Sequence, residues 1–263
     1  DIGTAKPRLM AKGRWLMAAG IPHHLVDIKN PNEEYTVAEY KRDAIKTIHK
    51  IIARGKLPIM VGGTGLYIKA VVWNLKIPKI KADLVLRREL ERELKESGVS
   101  FLMGELVSID PEAANILDPK NPRRVIRALE IALSEKKLFS GSRKFGKPLF
   151  QTLQIGVGNE KNKLLTQIER RSQKMIQGGL IQEVERLVKK YGQNARAFDA
   201  IGYREVIEYL KHKITKEKLM ELITKNTRQY ARRQMTWFKK DPGIRWIKNE
   251  KEAARLTTKF LKT

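Results

Sequence analysis

The run from Leu57 to Val72, LPIMVGGTGLYIKAVV, constrains this chain more than any other stretch. Its opening, Leu57 to Val61, is too short for a helix and follows Arg54 and Lys56, so it reads as a strand buried on both faces of a parallel sheet. A glycine loop follows. Gly62, Gly63 and Gly65 let another backbone or an anion come close, and Thr64 supplies the loop's single hydroxyl. Leu66, Ile68, Ala70, Val71 and Val72 then resume as a helix, so the loop N–H groups and the positive helix end point the same way. That arrangement suits phosphate. The same spacing also makes a tight strand-to-helix turn, and spacing alone does not choose between the two. The pattern GxxxxGK[ST] is absent from the sequence, since Gly55-Lys56 runs into Leu57 and Gly146-Lys147 into Pro148.

Charge narrows the partner. Fifty-four Lys and Arg against 29 Asp and Glu leave the 263 residues at +25, far beyond what solubility requires, and point to a polyanion. A 41% hydrophobic content is enough for a buried core. The absence of cysteine excludes disulfides and thiolate metal sites and fits a reducing cytoplasm. No apolar run approaches a membrane span.

Met10 to Ala19 reads as a short helix ended by Gly20, and Ile21 to Ile28 as a short strand and its exit. His23 and His24 are adjacent and would face opposite ways on that strand, which favours structural or substrate-positioning roles over a shared metal. Thr36 and Glu39 form a capping box that opens an amphipathic helix to about Arg54. Strand, helix and strand in this order imply a βαβ unit with a right-handed crossover.

Beyond the basic connector Lys76 to Asp83, a charged helix starts at Leu84 and is stopped by Gly98. A short helix follows Asp110-Pro111, and a third starts at Asn121-Pro122. On the third, Arg123 and Arg127 stand one turn apart and can bracket a phosphate, although solvation is the commoner fate of such a pair. These helices, with the basic loop Ser134 to Lys147, read as an insertion. Residues 79–149 form it, within a core of residues 1–78 and 150–263.

Gln151 to Val157 returns the chain to the sheet. Helices follow over Leu164 to Met175, broken at Gly178-Gly179, then around Ile181 to Val188, after Gly202-Tyr203, and from about Lys216 to Trp237. The last contains TRQYARRQMTWF, which sets Arg228 and Arg232 one turn apart with Arg233, Tyr230, Gln234 and Trp237. Guanidinium groups for phosphates and aromatic surface for bases make this a nucleic-acid face, against the plainer reading of a basic helix packed through Met235 and Trp237.

Seven blocks then carry a resemblance across nearly the whole chain: DIGTAKP (Asp1 to Pro7), GIPHHLVDI (Gly20 to Ile28), RGKLPIMVGGTGLYIKA (Arg54 to Ala70), PRRVIRALE (Pro122 to Glu130), IERRSQKMIQGGLIQEV (Ile168 to Val184), AIGYREV (Ala200 to Val206) and TRQYARRQMTWF (Thr227 to Phe238). In order and spacing the chain resembles the tRNA dimethylallyltransferases. The resemblance implies an α/β, P-loop NTPase-like core with a parallel sheet, a helical insertion domain and C-terminal helices. The activity it implies is transfer of a dimethylallyl group from its diphosphate to N6 of the adenosine beside the anticodon, with Mg²⁺, in a cytoplasmic monomer whose partners are the tRNA anticodon stem-loop and dimethylallyl diphosphate.

Such a reaction needs cations and backbone N–H groups on the leaving diphosphate, a base near the adenine amine and an adenine drawn out of its stack. By the resemblance, Thr64 touches the target nucleotide, Arg171 lies near the diphosphate, and Gly62, Gly63, Thr64 and Gly65 belong to the substrate site. Arg87, four residues after Asp83, and the Arg123, Arg124, Arg127 block match tRNA-contacting positions. Lys6 is assigned to the diphosphate, and Arg228, Arg232 and Arg233 to tRNA, on charge alone. Arg123 stands where the family has Gln, which trades base-specific contact for a phosphate contact, and Ser134 to Lys137 replaces a TGKP-like turn. The family's N-terminal P-loop and its DSxQ aspartate base are not in these 263 residues, and Asp1 matches a different aspartate. This polypeptide alone is therefore expected to be inactive. An adenylate isopentenyltransferase and a non-catalytic RNA-binding protein are the alternatives; the first would need no large basic insertion, and an upstream P-loop would argue against the second.

Overall fold

Helical periodicity dominates the chain, and the computed structural model, which describes residues 10–12, 15–18, 20–77, 83–135, 138–142, 145–158 and 160–262, follows it. The first elements are β1 (Met10–Lys12), β2 (Trp15–Ala18), β3 (Ile21–His23), α1 (Val37–Ile52) and α2 (Gly65–Val72). Next come α3 (Leu84–Ile109), α4 (Ala113–Ile116) and α5 (Pro122–Glu135). The remainder is β4 (Gln154–Val157), α6 (Lys161–Gln177), α7 (Leu180–Tyr191), α8 (Tyr203–Leu210), α9 (Lys216–Phe238), β5 (Ile244–Ile247) and α10 (Glu250–Phe260). Two compact units result: residues 1–68 with 151–263, and residues 69–150.

In the first unit, α1 begins where the capping box places it. Glu39 N–H donates to the Thr36 hydroxyl at 3.2 Å, and Thr36 N–H donates to the Glu39 carboxylate at 2.8 Å. Thr36→Ala is expected to lower stability by about 1 kcal/mol in urea unfolding at neutral pH. The Thr36 backbone donor, then its hydroxyl, holds the Glu39 carboxyl below the ordinary 4.5. That contribution is complete above pH 4.5 and is lost as pH falls through the lowered value.

Leu180, Val184, Val206, Leu219 and Ile223 bring α7, α8 and α9 around one core with Phe198 and Tyr203. Its buried carboxylates are satisfied. Glu183 accepts the Tyr203 hydroxyl at 2.6 Å, and Glu205 accepts Gly202 N–H at 2.7 Å and Asn226 Nδ2 at 2.6 Å.

Strand pairing departs from expectation. The helix expected over Met10 to Ala19 is not what the described residues there form: β1 and β2 pair antiparallel, and β2 pairs antiparallel with β3, with Ala18 opposite Ile21. Gly20, at φ 75°, makes the tight turn that a helix end would also have used. Leu57 to Val61 has no regular secondary structure and joins no ladder among the described residues, and Ile59 and Val61 are 77% and 90% exposed. An apolar run specifies a buried strand only when a neighbour offers its backbone groups, and β3 has given its described pairing to β2. The expected βαβ unit is therefore not formed. The parallel pairing lies instead between β4 and β5, in register Gln154 with Ile244 through Val157 with Ile247. Neither β5 nor α10 was expected from the sequence.

In the second unit, Asp83 caps α3 by accepting Val85 N–H at 3.0 Å and Leu86 N–H at 3.1 Å. Gly98 interrupts the helical backbone as expected: at φ 81° and ψ 171° it is non-helical, and two helical segments of α3 meet there at a kink. The chain resumes because Leu102 and Leu106 beyond the kink are fully buried with Val125 and Leu129 of α5. Burial of each such leucine is worth about 1.5–3 kcal/mol. Asp110, also fully buried, holds the segment after α5 by accepting Ser140 N–H at 2.8 Å.

Candidate functional site

Gly62 to Gly65 leads straight into α2, and its shape is imposed from outside. The Thr64 carbonyl accepts Tyr67 N–H at 3.0 Å and Ile68 N–H at 3.2 Å, which starts the helix and leaves the Thr64 side chain exposed. From α9, Gln234 Nε2 donates to the Gly63 carbonyl at 3.0 Å. Trp237 closes on Gly65 so tightly that a Cβ there would lie 2.0 Å from the indole Nε1. From α1, Tyr40 stacks on Tyr67 with ring centroids 4.4 Å apart, and its hydroxyl reaches the Met60 sulfur at 3.4 Å. Glycine is required at Gly65 by space, not by backbone angle. An ordered loop of this kind can present N–H groups to an anion without reorganising.

The end of α9 that braces the loop continues a basic stretch. Arg232 and Arg233 are exposed, and the Arg233 guanidinium lies 5.8 Å from the Tyr230 ring centroid. Arg228 is half-buried and paired with Glu169 of α6. Glu169, Glu221, Thr224, Lys225, Arg228, Gln229 and Arg232 line a groove of about 610 Å³.

Arg171 is exposed on α6 and makes no ion pair with a described residue. It lies two positions after Glu169, so the two side chains flank opposite sides of the buried stripe Ile168, Ser172 and Met175. In the second unit, Arg123 is exposed, Arg124 is half-buried, and Arg87 and Arg127 both turn onto Glu130. Lys6 lies outside the described residues.

Sequence reasoning placed Gln234 and Trp237 on the nucleic-acid face and missed their hold on the glycine loop. It also passed over Tyr40 and Tyr67; a tyrosine three residues after Thr64 was the available signal. His24 is held below its usual 6.5, first by burial and then by the charge of Arg54. Among the described residues, no cluster of three or more His, Cys, Asp or Glu could hold a metal ion, and no helix is long and apolar enough to cross a membrane.

Comparison with known proteins adds a second line of evidence. The IPP transferase family model matches residues 1–241. The tRNA dimethylallyltransferase of Pelotomaculum thermopropionicum is 41% identical over 254 residues, which is 95% of this chain and 78% of that protein. That of Carboxydothermus hydrogenoformans is 40% identical over 265 residues, 99% of this chain and 83% of the relative. Among solved structures, the full-length tRNA isopentenylpyrophosphate transferase of Bacillus halodurans superposes with a TM-score of 0.65 at 35% identity, covering 100% of this chain and 82% of the other. A eukaryotic dimethylallyltransferase acting on tRNA gives 0.64 at 29% identity, covering 83% of this chain and 56% of that one.

Fold and matches together define a mixed α/β transferase. The chain belongs to the IPP transferase family.

Proposed function

We propose that this protein transfers a dimethylallyl group from dimethylallyl diphosphate to N6 of the adenosine beside the anticodon of tRNA. The observation that carries this reading is the loop Gly62 to Gly65, braced by the same helix, α9, that exposes Arg232, Arg233 and Tyr230. In the transfer, the bond from N6 to the allylic carbon forms while the carbon–oxygen bond breaks. The electron pair leaves with the diphosphate, and the N6 proton passes to a base. Backbone N–H groups at the start of α2 and the Arg171 guanidinium take up the charge growing on the diphosphate. Thr64, exposed at the loop, faces the incoming nucleotide. Arg228, Arg232 and Arg233, with Arg87, Arg123, Arg124 and Arg127 of the second unit, hold the RNA backbone.

Mg²⁺ would be held chiefly by the phosphates of the substrate, since such ions take few protein ligands at phosphate sites. It would neutralise charge on the leaving group.

Two measurements on the full-length protein test the reading. An anticodon stem-loop should bind far more tightly than free adenylate; equal binding would favour an adenylate prenyltransferase. Labelled dimethylallyl transfer to the stem-loop should fall by roughly 100-fold in Arg171→Gln. Transfer undiminished in that variant would remove Arg171 from the site.

A further inference from the structure

Glu130 is 1% exposed, and its neighbours on α5, Ala128, Leu129, Ile131 and Ala132, are buried and apolar. A carboxylate is costly in such a place, and a well-packed apolar residue of similar size would stabilise the helix pair as well or better. What the carboxylate alone does is hold two arginines. It accepts Arg87 Nε at 2.6 Å and Nη2 at 2.8 Å from α3, and Arg127 Nη1 at 3.0 Å from its own helix. Neither guanidinium is sealed in: the side chains of Arg87 and Arg127 remain 20% and 34% exposed.

A guanidinium carries five N–H donors in a fixed plane, so a bidentate partner fixes where the rest of the plane points. One turn before Arg127, Arg123 is exposed on α5. The contrast within this molecule is Glu183, also buried, which takes a tyrosine hydroxyl and serves the core of the other unit.

We propose that Glu130 is a positioning residue for RNA: a buried carboxylate that sets the planes of Arg87 and Arg127 so that they meet consecutive phosphates of the anticodon stem-loop. This rests on the reading that the second unit contacts RNA. It predicts an effect opposite in sign to simple electrostatics, because removing a negative charge from a chain at +25 should otherwise strengthen RNA binding.

The experiment is stem-loop binding to the full-length protein by fluorescence anisotropy over a series of salt concentrations. Glu130→Gln, checked for folding by circular dichroism, should bind about five- to tenfold more weakly and with a shallower salt dependence. Glu130→Asp should recover part of the loss. Glu183→Gln, a buried carboxylate with no role in orienting these arginines, should unfold more readily and yet bind RNA as before. If Arg87→Gln and Arg127→Gln weaken binding while Glu130→Gln binds as well as or better than the parent, the positioning role is overturned and the RNA reading stands. If the two arginine variants also bind normally, the RNA reading of this unit fails and the inference falls with it. Should Glu130→Gln not fold, Glu130→Asp decides: weakened binding in a folded variant supports the role, and unchanged binding overturns it.

Discussion

Gly65→Ala is expected to lower the free energy of unfolding by about 1–3 kcal/mol, although alanine is the better helix former. The new Cβ would lie 2.0, 2.2 and 2.5 Å from Nε1, Cδ1 and Cε2 of Trp237, and an indole is a rigid plate that cannot yield at one atom. Either α9 or the loop must shift. Gly63→Ala offers the control, because its Cβ would meet Gln234 Nε2 at the same 2.0 Å. There the obstacle is the end of a flexible side chain, so the cost should be near the loss of one hydrogen bond, about 0.5–1.5 kcal/mol. Denaturant unfolding of both variants and of Gly65→Ala/Trp237→Leu checks the account. A double variant more stable than Gly65→Ala confirms that the indole is the obstacle, and equal stability refutes it. Transfer activity should fall in Gly65→Ala without an equal fall in RNA affinity, because the loop is displaced while the basic face of α9 is kept.

The paired replacement of Arg232 and Arg233 by Ala should weaken stem-loop binding by roughly 10- to 100-fold near physiological salt and lower the salt slope by about 1.5. Both side chains are exposed, so their loss should leave the melting temperature nearly unchanged. Arg228→Ala is a different experiment. That side chain is half-buried and paired with Glu169, so its removal should cost stability as well as affinity. A double variant at Arg232 and Arg233 that binds RNA normally would return α9 to a purely structural role.

What could be read from the sequence, and what could not, divides by the range of the interaction. The α1 capping box was legible because Thr36 and Glu39 are three residues apart and answer one another through the same turn. The helices of the second unit and the run from α6 to α9 were legible because their apolar residues recur at helical spacing. The interruption at Gly98 was legible too; that a second helical segment follows at once, anchored by the buried Leu102 and Leu106, was not. Leu57 to Val61 looked like a buried strand because nothing local distinguishes a strand with a partner from one without. The candidate site shows the same division: the glycine loop and the arginine blocks stood out, but not what they touch.

By itself, the sequence determined the strong positive charge, the helix starts and periods, the glycine loop and the family to which the chain belongs. Only the tertiary structure decided that β4 pairs with β5, that Trp237 closes on Gly65, and that Glu130 gathers arginines from two helices. The physical reason is that caps and periods are settled between residues a turn apart. Ladder partners, close backbone approaches and buried ion pairs depend on which distant segments remain to pack together once the local elements have formed.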